Sequence, residues 1–181
     1  SARHSLQNAI FGSDAREPAR HALARAEAAE NFDAWAGTPH PRLPMLRALI
    51  ASVQGDFAQA LVHHERQRAD GQRQRLGHPA ADMLADRAWC RWHAGDADAA
   101  AIDADAALAH LGSAAHDDDT LAVAHGRLAQ LFGLMDRHEA GELQRRIADA
   151  AWARHRSQQQ HVIEALDLAG LPAALLRTTP C

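Results

Sequence analysis

The sequence has no lysine, no tyrosine and only two cysteines in 181 residues. Two cysteines far apart make no disulfide framework, and without a CxxC pair they make no cysteine zinc site. Cys90 lies inside RAWCRW, which points to a buried, inert thiol, and Cys181 is the last residue. β-Branched residues are scarce, so nothing supplies a sheet. No apolar run reaches the roughly 18 residues of a membrane span. The opening SARHSLQNAI has none of the apolar core of a signal peptide. It also lacks an initiating Met, so the expectation is a processed form or an excised piece of a longer, cytoplasmic protein.

All 19 basic residues are Arg, set against 23 acids, for a net charge of −4. The basic excess with which a general nucleic-acid binder replaces counterions is missing, and no nucleic-acid partner is expected. GxSxG, Walker A, GxGxxG and HExxH are all absent, so no cofactor and no catalytic residue is assigned.

What is present is helix-forming composition. Ala occupies 43 positions, and Ala, Leu, Arg, Glu and Gln lose little side-chain freedom in a helix. The Ala and Arg bias without Lys fits a GC-rich bacterial genome. Breaks fall at GTPHPRLP (37–44), DGQRQRLGHP (70–79) and GSAAHDDD (112–119), and each segment between or after them splits once more. The splits are QGDFAQA, AGDADAA and LMDRHEA, which space Asp56, Asp96 and Asp136 by 40 residues. Ala60, Ala100 and Ala140 form a second column, and Arg47, Arg87 and Arg127 a third.

This period predicts three helix–turn–helix units, about 41–78, 79–118 and 119–156. Helices are expected at about 43–54, 56–70, 79–94, 96–111, 119–134 and 136–156. Gly55 and Gly95 close the first helix with φ > 0, the following Asp caps the second, and the small Ala lies where the helices cross. Residues 1–40 are less regular, with one helix over 15–31 and residues 4–11 as its candidate partner. A separate final helix over 157–170 is expected to cap the open end through Val162, Ile163 and Leu166.

The stretch QGDFAQALVHHERQ resembles the middle of a tetratricopeptide repeat, with Gly55, Phe57 and Ala60 at that family's turn and crossing positions. Gly95 and Ala100 match again, whereas Phe57 gives way to Ala97, Gly55 to Met135, and the period is 40 rather than 34. The resemblance covers roughly residues 41–156. It implies an all-α fold, a right-handed α-solenoid of antiparallel helix pairs. It also implies a non-catalytic interaction or ligand-sensing module. Such long-period variants resemble regulatory regions of bacterial signalling proteins, including diguanylate cyclases and transcriptional activators. A helical-repeat enzyme and a pure dimerisation scaffold are the alternatives, and a homodimer is compatible with each.

In a stack of helix pairs, Arg47, Arg87 and Arg127 would form a ladder along the first helices, suited to carboxylates or phosphates. Trp89, Trp92 and His93 lie one turn beyond Arg87 and would wall a groove for an acidic protein or peptide partner. The competing reading pairs the arginines with nearby acids such as Asp86 and places the tryptophans in the core. Phe132 is expected at the position of Trp92. Asp103 and Asp105 read as a solvated face, since residues i and i+2 of a helix point apart. No metal site is expected: His63 and His64 point about 100° apart on a helix, and His116 with Asp117, Asp118 and Asp119 reads as the acidic start of a helix.

Overall fold

The computed structural model describes residues 43–73, 80–113 and 115–168. Among these residues the fold is all-helical. Six helices follow in order: α1 (Leu43–Gln54), α2 (Phe57–Arg73), α3 (Ala81–His93), α4 (Ala97–Ser113), α5 (Asp118–Leu134) and α6 (His138–Leu168). No described helix is long and apolar enough to cross a membrane. The expected helices within residues 1–40, and the break at 74–79, lie outside the described residues.

Short turns join α1 to α2, α3 to α4 and α5 to α6, and each of these pairs is in extensive contact. Gly55 and Gly95 have φ of 82° and 87°, the left-handed conformation that glycine adopts without a Cβ penalty. Their N–H groups donate to Ser52 and Trp92 carbonyls, closing the first helix of each pair. Asp56 and Asp96 then cap the next helix: Asp56 Oδ1 accepts from the Gln59 N–H at 3.0 Å, and Asp96 Oδ1 from the Ala99 N–H at 3.1 Å.

The third turn departs from the 40-residue column. The left-handed residue there is Asp136, with φ of 58°, a conformation that Asp tolerates better than most side chains. The Asp136 N–H donates to Gly133 O and the Arg137 N–H to Phe132 O, the pattern that Gly95 and Asp96 show with Trp92 and Arg91. Asp136 is therefore the counterpart of Gly95, 41 residues on, and it caps nothing. One extra residue precedes the turn, and everything in the third pair shifts by one when counted from it.

That shift moves the crossing residue. Ala60 and Ala100 are fully buried as expected, but Ala140 is only half-buried, and Gly141 takes the crossing position. A Cβ on Gly141 would lie 3.1 Å from the Ala129 carbonyl oxygen, so α5 and α6 approach closely enough there that even an alanine would require the backbone to give way slightly. Gly141→Leu is expected to force these helices apart and cost about 1–3 kcal/mol. Equal urea midpoints for the variant and the parent would rule out this close approach.

The core of the second and third pairs contains Leu84, Ala88, Ala104, Leu128, Leu131 and Phe132, with Trp89 and Trp92 packed against it. The first pair joins the second mainly through α2 on α3, whereas the third joins the second mainly through α5 on α3. The final helix also differs from expectation. Residues 157–168 do not form a separate capping helix but continue α6, which runs unbroken for 31 residues. No Gly or Pro occurs between Gly141 and Leu168, so nothing stops it.

Candidate functional site

Charge is concentrated where α2, α3 and α4 meet. Asp103 on α4 is 2% exposed and accepts from Arg87 Nε at 2.7 Å and Nη2 at 2.6 Å, a two-pronged pair. Arg91 Nη1 approaches the same carboxylate at 2.9 Å, and Glu65 lies 3.8 Å from Arg87. The hydrogen bonds that Arg87 donates to Asp103 raise its pKa further. Asp103 is thus no solvated face. Its i+2 neighbour Asp105 is exposed, as the 100° step requires.

Arg127 points elsewhere. It is 3% exposed, donates to Asp86 at 3.0 Å and lies over the Trp89 ring at 4.8 Å. Counted from the turns, Arg87 corresponds to Leu128 and Asp86 to Arg127, so the 40-residue arginine column is not a column in space. Arg47 is half-buried on α1. Trp89 and Trp92 are half-buried against the core, and exposed His93 stacks on Phe57 at 4.6 Å. The residue is exposed overall, but packing of its ring against Phe57 and Trp89 removes part of its hydration, and this, then Arg127, lowers the His93 pKa. The structure therefore gathers Trp89, His93 and Arg127 into one aromatic cluster, while Arg87 belongs to the Asp103 pair on another face.

Both histidines of α2 are buried. His64 is 3% exposed, its Nε2 has no hydrogen-bond partner, and burial lowers its pKa to about 4. His63 is lowered too, by burial and then by Arg47 and Arg66. His125 on α5 is lowered by burial against the opposing effect of its Gln144 hydrogen bond. Burial also pushes the Cys90 thiol up to about 11, with Ser52 as its hydrogen-bond partner. Among the described residues, no three His, Cys, Asp or Glu side chains are grouped to hold a metal ion. At the α5 N-terminus, the Asp117 side chain makes no cap bond, and Asp118 instead pairs with Arg154 at 2.7 Å. Asp118 and Asp119 lie in the first turn, where the helix dipole favours acids.

A second feature was not read from the sequence. An open cavity of about 480 Å³ runs between α5 and α6, floored by Gly126, Ala129, Gly133, Gly141 and Ala148, with Trp152 at one end. Glu142, Arg145 and Asp149 line it as charged groups, and Arg145 pairs with Glu142. With the turns aligned, Gly126, Ala129, Gln130 and Gly133 correspond to Ala85, Ala88, Trp89 and Trp92 of α3. Those are residues that α5 covers in the second pair. The corrected alignment also moves Phe132 to the position of Arg91 and puts Gly133 in place of Trp92. Glycine at 133 stands where the preceding pair has an indole, which leaves the groove floor without a large side chain.

No protein-family model, curated protein or solved structure matches the chain.

Proposed function

We propose that this chain is a non-catalytic protein-interaction module, a tetratricopeptide-like, right-handed solenoid of antiparallel helix pairs. In this reading it is the regulatory part of a larger bacterial signalling protein, such as a diguanylate cyclase or a transcriptional activator. The observation that carries the interaction reading is the groove between α5 and α6. It corresponds to the face that α3 and α4 present to α5, and no described residue covers it. A helix seated there would continue the stack by the same packing. The acidic-peptide reading relied on the arginines, but Arg87 and Arg127 already hold Asp103 and Asp86. We therefore place the contact in the groove. The ion pairs of Asp103 with Arg87 and Arg91, and of Asp86 with Arg127, join helices to one another, which supports a structural rather than a catalytic use of these charges.

A photocrosslinking residue at Gln130, on the groove wall, tests this reading. Ile102, 67% exposed on α4, serves as the control position. Crosslinks to a helical segment are expected from position 130 and not from position 102. Their absence at 130 in cells would remove the groove as an interaction site.

A further inference from the structure

The α6 helix runs past the start of its partner. Asp118, the first residue of α5, meets Arg154 and Gln158, so residues 159–168 extend about 15 Å further. Val162 on this extension is 52% exposed, and Ile163 and Leu166 are half-buried. At 100° per residue, Ile163 and Leu166 fall within about 50° of the direction of Arg145 and Trp152, the groove-facing side of the same helix. One helix thus carries a groove in its first half and an apolar arm on the same side in its second. The arm and the groove are similar in length, about 15–20 Å by helical rise.

We propose that the occupant of the groove is the projecting end of α6 from a second copy of this chain. The arms exchange reciprocally about a two-fold axis near Arg154. This rests on the interaction reading above and names its partner. Two antiparallel α6 helices related by that axis place Leu166 of one copy by Gly141 and Gly133 of the other, where the floor has no side chain. Trp152 of each copy lies close to the axis and is covered by the other's helix.

Charge supports this register. Asp149 and Arg156 are exposed, with no ion-pair partner among the described residues. In the two-fold arrangement Asp149 of one copy lies on the same flank of the interface as Arg156 of the other, within about one helical turn along the axis, and the pair occurs twice. A parallel arrangement would set like charges side by side instead. The residues expected to cap the open end within one chain, Val162, Ile163 and Leu166, cap it between chains, because α6 has no break that would let them fold back.

Sedimentation velocity on the full chain tests the proposal, with Ile163→Glu as the arm variant and Gly133→Leu as the groove variant. A Cβ on Gly133 meets nothing within 4 Å, and leucine is the better helix former, so the monomer fold tolerates this change. The wild type is expected to be a dimer. Each variant should raise its dissociation constant roughly tenfold or more while keeping the circular dichroism spectrum and, at dilutions where both proteins are monomeric, the melting curve. Asp149→Arg should weaken the dimer, and adding Arg156→Asp should restore it. A wild-type monomer at 100-fold dilutions up to roughly 100 μM, where a standard interface would associate, overturns the proposal, as does a dimer indifferent to both variants. If the wild type is monomeric but a probe at Gln130 still crosslinks another protein, only the second-copy assignment fails. If it crosslinks nothing, the groove reading fails with it.

Discussion

Asp103→Ala is expected to destabilise the protein by about 3–5 kcal/mol, because it leaves two guanidinium groups partly buried without their shared anion. Asp103 is 2% exposed and holds Arg87 with two hydrogen bonds and Arg91 with a third contact at 2.9 Å. The side chains of Arg87 and Arg91 are only 13% and 23% exposed, so neither recovers full hydration when the carboxylate goes. Asp105→Ala, two residues on and exposed, should change stability by less than about 0.5 kcal/mol. Urea denaturation of both variants checks the contrast. Equal, small losses would mean that Asp103 is no more than a surface acid.

The second large effect is on acid stability. His64 faces Asp86, Arg87, Asp103 and His63, and burial holds its pKa at about 4 against an ordinary 6.5. Above pH 6.5 the ring is neutral in both folded and unfolded states, and its titration contributes nothing. Between 6.5 and about 4 the unfolded chain takes up a proton that the folded chain refuses, so stability falls as pH falls. The full loss is about 3 kcal/mol at the lower end of that window. His63, His93 and His125 are shifted in the same direction and add to the slope. His64→Leu should flatten it by the share of one proton while leaving the other histidines in place. Stability measured at pH 7.0 and 4.5 checks this, and an unchanged slope in the variant would assign the acid sensitivity to other groups.

The helices were legible because composition and punctuation agreed. Gly55 with Asp56 and Gly95 with Asp96 form a turn and cap that need only local geometry, and local geometry is what a short sequence window encodes. The third unit misled because Asp136 matches the column by identity while occupying the left-handed position of Gly95. A one-residue extension rotates the assigned faces by about 100°. The arginine column, Ala140 and Phe132 were all misaligned for that reason. Counting from the left-handed residue would have aligned Gly133 with Trp92 and exposed the groove.

Asp103 was misread for a different reason. A carboxylate in an Ala-rich helix looks solvated until the facing helix is known to supply Arg87 and Arg91. The end of α6 was misread because a face of Val162, Ile163 and Leu166 signals that something is covered, without saying by which chain.

Hydrogen exchange across α6, measured at about 1 μM and about 100 μM chain, tests the central claim most directly, since interfaces of standard size associate within that range. Residues 159–168 extend beyond α5 and are expected to exchange fast in the dilute sample. In the concentrated sample they should slow together with residues 138–152, while α1 and α2 stay unchanged. Exchange in residues 138–168 that is identical at both concentrations would contradict the account, because neither groove nor arm would then be covered by a second copy.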